Sequence, residues 1–165
     1  MPEADVSMRE RVTLHYQWCV RVLRAGDVEG FLDWLGPDGT FRTADNTVVR
    51  HADTRPFWEW RFGNVLAVRR CEIEVEDVAY NDDGLLVVDF HEQSDFTVRG
   101  FNGSPAEREA DLHNRNFWEV SEDRMTSRGG EELQARRTID GKPLTDDIDP
   151  WGFAAWAQYR DSPGA

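Results

Sequence analysis

Apolar residues in the first part of the chain recur at helical spacing. Over residues 5–24 they fall three or four positions apart, which predicts an amphipathic helix built on Met8, Val12, Tyr16, Cys19, Val20 and Leu23. Gly26 suits a left-handed helix end and Asp27 suits an N-cap, so the helix is expected to stop there. We predict a second helix over residues 28–35, a GPDG turn over 36–39 and a third helix over 55–64.

The pattern then changes to an alternation of period two. In CEIEVED, residues 71–77, apolar side chains alternate with acidic ones, which predicts a strand with one buried face. Longer strands are expected over 85–98, 110–120 and 125–139, and a small hairpin over 40–51. Helices followed by a meander of long antiparallel strands favour an α+β domain, with the helices packed on one face of a curved sheet.

The end of the chain carries a further helical pattern. Asp149 is suited to an N-cap position and Pro150 to the first turn, and the aromatic residues Trp151, Phe153 and Trp156 follow. We therefore expect one main domain over residues 1–144 and a C-terminal helical extension over residues 145–165.

Composition narrows the functional classes. The chain has 165 residues and a formal net charge of −13, which argues against nucleic acid and anionic membrane surfaces as partners. Apolar runs stay short of the ~18 residues of a membrane span, and the N-terminal residues show no signal-peptide pattern. Two cysteines form no disulfide framework, so the expected compartment is the cytoplasm. Neither metal-ligand spacing of histidines nor a glycine-rich phosphate loop occurs, so we expect no metal and no cofactor.

Two segments resemble a known superfamily. HYQWCVRVLRAGDVEGFLDWLGPDGTFR, residues 15–42, and NFWEVSEDRMTSR, residues 116–128, look like the opening helices and closing hairpin of nuclear transport factor 2-like, SnoaL-like proteins. The resemblance implies a cone-like curved antiparallel sheet around an apolar pocket that the N-terminal helices close. It also implies a homodimer formed through the outer face of the sheet. The closing strands and the length are similar to phenazine-biosynthesis A/B-type proteins, and polyketide cyclases are further relatives by resemblance.

Polar residues on apolar strand faces are the candidate site residues, because burying a polar group costs free energy unless it has a partner. Glu92 continues the face of Leu86, Val88 and Phe90, where desolvation would raise its pKa as a general acid or base requires. The alternative is that the strand has left the core at this point. On the next strand, Asn114 and Asn116 share a face with Leu112, Trp118 and Val120.

The resemblance suggests roles for some of these residues. Asn116 falls where ketosteroid isomerases carry a protonated acid that holds the substrate oxyanion, and an amide could act similarly; otherwise it is a core residue bonded to backbone or to Arg128. Phenazine-type proteins carry an acid/base glutamate on the last strand. Plain alternation places Arg128, Gly130 and Glu132 on one face, whereas a bulge at the paired glycines would bring Glu131 there. A solvated glutamate pair is the third possibility.

Aromatic residues complete the hypothesis. Trp58 can wall a pocket for a flat ligand or belong to the core, and Tyr16, Phe90, Asn114 and Trp118 are the other candidate substrate contacts. These features favour a cofactor-independent cyclase, isomerase or dehydratase of specialised metabolism that acts on an apolar or aromatic small molecule. The catalytic candidates are Glu92, Asn116, Arg128, Glu131 and Glu132. The alternative is a non-catalytic ligand-binding or partner subunit, such as a ring-hydroxylating dioxygenase small subunit.

Overall fold

The chain folds as an α+β domain built on one curved sheet. A computed structural model describes residues 5–33, 35–42, 48–50, 54–145 and 148–163. In chain order the elements are α1 (Val6–Ala25), α2 (Val28–Asp33), β1 (Leu35–Arg42), β2 (Val48–Arg50), α3 (Thr54–Gly63), β3 (Val65–Tyr80), β4 (Leu86–Arg99), β5 (Pro105–Val120), β6 (Met125–Ile139), β7 (Lys142–Pro143) and α4 (Phe153–Arg160).

The sheet runs in the order β2-β1-β6-β5-β4-β3, and β7 pairs with β6. The pairing of β1 with β6 is parallel, and the remaining pairings are antiparallel. The four long strands β3 to β6 form the predicted meander, and α1 packs against their inner face. The expected fold class, a cone-like antiparallel sheet closed by helices, is confirmed. Among the described residues, no helix is both long and apolar enough to cross a bilayer.

The AGD segment acts as the local sequence predicts. Gly26 adopts a left-handed conformation with φ of 67°, and its amide donates to the carbonyl of Leu23, which closes α1. Asp27 then caps α2, since its Oδ1 accepts a hydrogen bond of 2.9 Å from the amide of Gly30. The segment therefore ends α1 and begins α2 within three residues.

Several element boundaries differ from the sequence prediction. Residues 36–39, predicted as a turn, lie inside β1, at a point where the register against β6 shifts between Leu35 and Thr40. Such an irregularity tolerates Pro37, which cannot donate to the sheet. β5 begins at Pro105, five residues earlier than predicted, because the small buried residues Ala106 and Ala110 conceal the alternation there.

Two apolar clusters fill the inner face of the sheet. The first joins α1 to the ends of β4 and β5 and contains Val12, Tyr16, Val78, Leu86, Val88, Phe90, Trp118 and Met125. The second lies toward the other end of these strands and contains Cys71, Phe96, Val98, Ala106 and Trp151. The inner face of β4, β5 and β6 also carries the polar residues Glu92, Ser94, Arg108, Asn114, Glu132 and Arg137. Together with Arg61 of α3 and Asp149, which reach them from other elements, they are called the polar belt below.

The C-terminal segment enters the domain through Asp149 rather than capping a helix with it. Gly152 occupies the N-cap position of α4, so the prediction of Asp149 as N-cap is wrong. The buried Asp149 carboxylate accepts hydrogen bonds of 3.1 and 2.9 Å from Nε and Nη2 of Arg108, and one of 3.0 Å from the amide of Trp151. Because a charged group inside a protein must be paired, Arg108 draws the segment inward. The boundary of the predicted extension at residue 145 stays a prediction.

The electrostatic balance at Asp149 follows from this contact. Burial by itself raises the pKa of Asp149, but the charge and hydrogen bonds of Arg108 outweigh it, so the pKa lies below its usual value. The carboxylate therefore contributes stability above the ordinary aspartate pKa of about 3.9 and loses it as the pH falls through the lowered value.

We predict that Asp149→Ala lowers the free energy of unfolding by about 3–5 kcal/mol, because it leaves the Arg108 guanidinium buried without its partner. Urea denaturation at neutral pH measures the loss. Asp161→Ala is the matched control, since its ion pair with Arg160 lies on the surface, and it should leave the urea midpoint unchanged. Equal midpoints for both variants would contradict the assigned role of the buried pair.

Candidate functional site

The inner face of β4 and β5 carries the residues that the sequence pattern grouped together. In the register of the two strands, Leu86 lies opposite Trp118, Val88 opposite Asn116, Phe90 opposite Asn114 and Glu92 opposite Leu112. Leu86, Val88, Phe90 and Trp118 belong to the apolar cluster around Tyr16. Glu92 therefore lies where this cluster gives way to the polar belt.

Glu92 is a carboxyl group held in an unfavourable environment for its charge. Glu92 is only partly exposed. Its Oε1 accepts a hydrogen bond of 3.0 Å from Oγ of Ser94, a buried residue. Burial is the largest influence and raises the pKa of Glu92, while the Ser94 bond and the charges of Arg61, Arg137 and Arg108 lower it in part. The net result is a raised pKa, the property expected of a general acid or base.

Arg61 of α3 reaches the same belt inside a group of aromatic rings. Its guanidinium carbon lies 3.6 Å from the ring centre of Trp151, 4.7 Å from that of Trp58 and 5.0 Å from that of Phe57. Burial, followed by repulsion from Arg108, lowers the pKa of Arg61 to about 9. Cation–π attraction offsets part of the cost of burying this charge. Trp58 thus serves to hold a cation.

The other two arginines of the belt are paired. Arg108 binds Asp149, and Arg137 donates to Glu132, whose side chain is 4% exposed. Within the described residues, by contrast, Arg61 has no carboxylate within 4.0 Å, and its buried Nε has no hydrogen-bond partner. Glu92 and Arg61 influence each other's pKa without forming an ion pair, which leaves an acid and a cation available to a bound molecule.

Tyr16 organises the apolar end of the site. Its buried hydroxyl accepts hydrogen bonds of 3.1 Å from Nδ2 of Asn116 and 3.2 Å from Nε1 of Trp118, and its ring lies 4.7 Å from that of Phe90. Burial raises the pKa of Tyr16, which keeps the phenol protonated. Asn116 is thus bonded to a tyrosine rather than to Arg128. The neighbouring Asn114 is buried, and its Oδ1 has no partner within the described residues.

A bulge in β6 redirects the glycine-rich stretch. Trp118 pairs with Ser127 and Phe117 pairs with Gly129, so Arg128 is an extra residue between two rungs. Its side chain turns to the outer face and bonds the exposed Glu119. The prediction that Arg128 lies on the inner face with Asn116 is therefore wrong.

The two glutamates after the bulge separate. Glu132 pairs with Asn114 on the inner face, while Glu131 pairs with Arg115 on the outer face. The predicted bulge exists, but it does not bring Glu131 inward. It lies at Arg128, before the glycines, and shifts the inner face from Met125 and Ser127 to Gly130 and Glu132. The contact of Glu132 with Arg137 also shows that Glu132 is not a solvated residue.

The sequence did not identify five of the eight residues of the polar belt as site residues. Arg61, Ser94, Arg108, Arg137 and Asp149 all contribute to it. Ser94 and Arg108 could have been found by extending the alternation of their strands, since both follow the inner-face parity. Arg61 and Asp149 come from other elements, and only the folded chain brings them close.

Comparisons with known proteins identify the fold. No protein-family model matches the chain. No curated protein matches it in sequence. Solved structures do match it, among them an NTF2-like protein from Cytophaga hutchinsonii, with a TM-score of 0.57, 13% identity, and coverage of 75% of this chain and 95% of the other. Aln2 from a Streptomyces species gives a TM-score of 0.55, 18% identity, and coverage of 79% and 92%.

A further similar structure is a putative Ca/calmodulin-dependent kinase II association domain from Exiguobacterium sibiricum. Its TM-score is 0.54 at 11% identity, with coverage of 88% of this chain and 98% of the other. Identities this low carry the fold alone. The chain has the nuclear transport factor 2-like fold, as the two sequence segments suggested, and its chemistry must be inferred from its own residues.

β6 packs closely behind Asn116 at Gly130. A Cβ at this position would lie 2.4 Å from Oδ1 of Asn116 and 3.1 Å from the carbonyl oxygen of Arg115. We expect Gly130→Ala to displace Asn116 from Tyr16 and to lower the free energy of unfolding by about 1–3 kcal/mol. Gly63→Ala is the control, because nothing lies within 4 Å of its Cβ position. Urea midpoints that are the same for both variants would contradict this packing.

The raised pKa of Glu92 makes a signed prediction about stability. The folded state holds the proton of Glu92 more tightly than the unfolded chain, so Glu92 destabilises the fold as the pH rises from about 4.3 through the raised value. Glu92→Gln should therefore become more stable than the wild type over this range, by up to about 1.4 kcal/mol per pH unit. Urea denaturation from pH 4 to pH 8 measures the difference.

Glu72→Gln is the matched control for this experiment. Glu72 is an exposed residue of β3 whose pKa is lowered by hydrogen bonds from Arg70. Its replacement should give no gain in stability at higher pH. If the difference in unfolding free energy between the wild type and Glu92→Gln does not change with pH, Glu92 is solvated like an ordinary carboxyl group.

Proposed function

We propose that the chain is a cofactor-independent small-molecule enzyme in which Glu92 transfers a proton inside the cone. The observation that supports this most directly is the juxtaposition of Glu92, a carboxyl group of raised pKa, with Arg61, a cation without an ion-pair partner among the described residues. A self-contained structural pair would be in contact, as Arg108 and Asp149 are.

The arrangement suits proton abstraction next to a carbonyl group. The Glu92 carboxylate takes a proton from the carbon beside the carbonyl, and the electron pair of that C–H bond moves toward the carbonyl oxygen. Arg61 stabilises the negative charge that develops on this oxygen. Glu92, now protonated, returns the proton to another atom of the substrate or to a leaving hydroxyl. The raised pKa favours this return, since a carboxylate of higher pKa is a stronger base and holds the proton more tightly between the two steps.

The surrounding residues indicate the substrate class. Tyr16, Phe90 and Trp118 belong to the apolar cluster that precedes Glu92 along the inner face, and Trp58 stacks on Arg61. We infer a substrate with an apolar or aromatic body and one carbonyl or carboxylate group. Asn114 is the additional polar contact in this proposal, because its Oδ1 can accept a hydrogen bond from a substrate hydroxyl. Isomerases, cyclases and dehydratases share this chemistry.

A second candidate function is self-association without catalysis. The similarity to a putative association domain favours it, because that fold match covers most of both chains. In this case the outer face of the sheet would pair two copies, and the polar belt would be structural. Light scattering on a sizing column tests the homodimer, and a monomer would exclude this function.

Hydrogen–deuterium exchange tests the enzymatic proposal without knowledge of the natural substrate. A panel of cyclic and aromatic ketones is incubated with the protein in D₂O, and loss of the signal of the protons beside the carbonyl is followed by ¹H NMR. We expect the wild type to accelerate exchange for at least one ketone, and Glu92→Gln to reduce the acceleration by about 10²–10⁴-fold. Glu132→Gln reports whether the second inner-face glutamate takes part.

Asp95→Asn is the matched control, since Asp95 is a carboxylate of the same strand on the outer face. The Asp95→Asn variant should accelerate exchange in the ketone as much as the wild type does. Exchange no faster than in buffer, or equally fast with Glu92→Gln, would contradict the proposal.

A further inference from the structure

The outer face of the sheet carries a second group of chemically active side chains. His91 of β4 lies directly opposite His113 of β5, and Asp111, two residues before His113, lies on the same face of β5. One donor atom from each of the three residues lies within 4.8 Å of the donor atoms of the other two. These residues are called the His91–Asp111–His113 cluster.

The cluster is arranged by the strand register. The imidazole rings of His91 and His113 are parallel to within 4°, with centres 4.5 Å apart. Nε2 of His91 lies 2.9 Å from Oδ1 of Asp111. Two imidazoles and a carboxylate therefore project from two adjacent central strands, where the backbone hydrogen bonds fix their spacing.

Glu76 of β3 supplies a supporting contact. Its Oε2 lies 3.1 Å from Nδ1 of His113. A histidine that binds a metal commonly donates its other ring N–H to a carboxylate, which orients the ring and fixes the tautomer. With Nδ1 of His113 engaged by Glu76, Nε2 carries the lone pair that a metal ion requires.

We propose that the His91–Asp111–His113 cluster binds a divalent transition-metal ion, with Zn²⁺ as the best match. Two imidazole nitrogens and one carboxylate oxygen, with a fourth position open to water, are a donor set typical of zinc, whereas Mg²⁺ and Ca²⁺ prefer oxygen donors alone. Bonds of about 2.0–2.2 Å place tetrahedral donors roughly 3.4 Å apart. The present donors lie within 4.8 Å of one another, and the two parallel imidazoles must tilt toward each other so that their lone pairs converge on the ion.

The cluster is open to solvent and able to make these rotations. The side chains of His91, Asp111 and His113 are 24%, 31% and 36% exposed. Arg136 lies 3.5 Å from Asp111, but its side chain is 81% exposed and can move away. The positive charge of Arg136 repels a bound cation. Removal of this charge should therefore strengthen metal binding, whereas removal of a ligand should weaken it.

This site is independent of the proposed acid/base chemistry. His91 and Glu92 are consecutive residues of β4, so their side chains lie on opposite faces of the sheet. A metal ion on the outer face would join β4 to β5 and, through Glu76, restrain β3. Its effect is on the stability of the sheet rather than on the interior site.

Calorimetric titration with ZnCl₂ tests the proposal on untagged protein that has been treated with EDTA and dialysed. The wild type should bind one Zn²⁺ per chain, and His91→Gln and His113→Gln should each bind at least tenfold more weakly. Glu76→Gln should weaken binding by about 10–100-fold as a positioning residue. Arg136→Gln should bind more tightly, and Asp95→Asn, an outer-face carboxylate outside the cluster, should match the wild type.

Co²⁺ provides a readout on the wild type that does not depend on variants. Co²⁺ bound with four ligands gives strong visible absorption, which should appear with one equivalent and be lost on addition of Zn²⁺. Circular dichroism establishes that each variant is folded. Absence of Zn²⁺ binding, weak absorption typical of six-coordinate Co²⁺, or binding that persists in folded His91→Gln and His113→Gln would overturn the proposal.

Discussion

Neutralisation of charge inside the cone is the constraint on which the structure depends. Arg61, Arg108 and Arg137 share the interior with Glu92, Glu132 and Asp149. Buried charges are tolerated only when they are paired or held by other attractive contacts. Two of the arginines satisfy this rule with direct ion pairs, and one of these pairs fixes the C-terminal segment. The position of α4 therefore follows from an electrostatic requirement on β5.

The third arginine satisfies the rule differently. The aromatic rings of Phe57, Trp58 and Trp151 hold the guanidinium of Arg61, so it does not need Glu92 as a direct partner. Glu92 consequently keeps a raised pKa at some expense of stability. Functional sites commonly retain such locally unfavourable groups, because reactivity requires a group that is not already satisfied. This contrast separates the Glu92 region from the two structural pairs.

The sequence predicted the parts of the fold that depend on local periodicity. Alternation in β4 and β5 correctly placed Glu92, Asn114 and Asn116 on the inner face. Two one-residue bulges in β6, at Arg128 and Leu133, reverse the alternation and then restore it. Only the paired glycines signalled the first bulge, and nothing marked the second, so Arg128 was assigned to the wrong face.

The two central strands show why the remaining chemistry was not visible in the sequence. His91 and His113 lie 22 residues apart and show no metal-ligand spacing, yet the β4–β5 register places them opposite each other. The same register places Glu92 against Leu112 one rung away, on the other face. Because the side-chain period of a strand is two, one pairing fixes both faces at once. A shift of β4 by one residue would expose Glu92 and turn His91 inward, away from His113, so the interior site and the outer cluster depend on a single register.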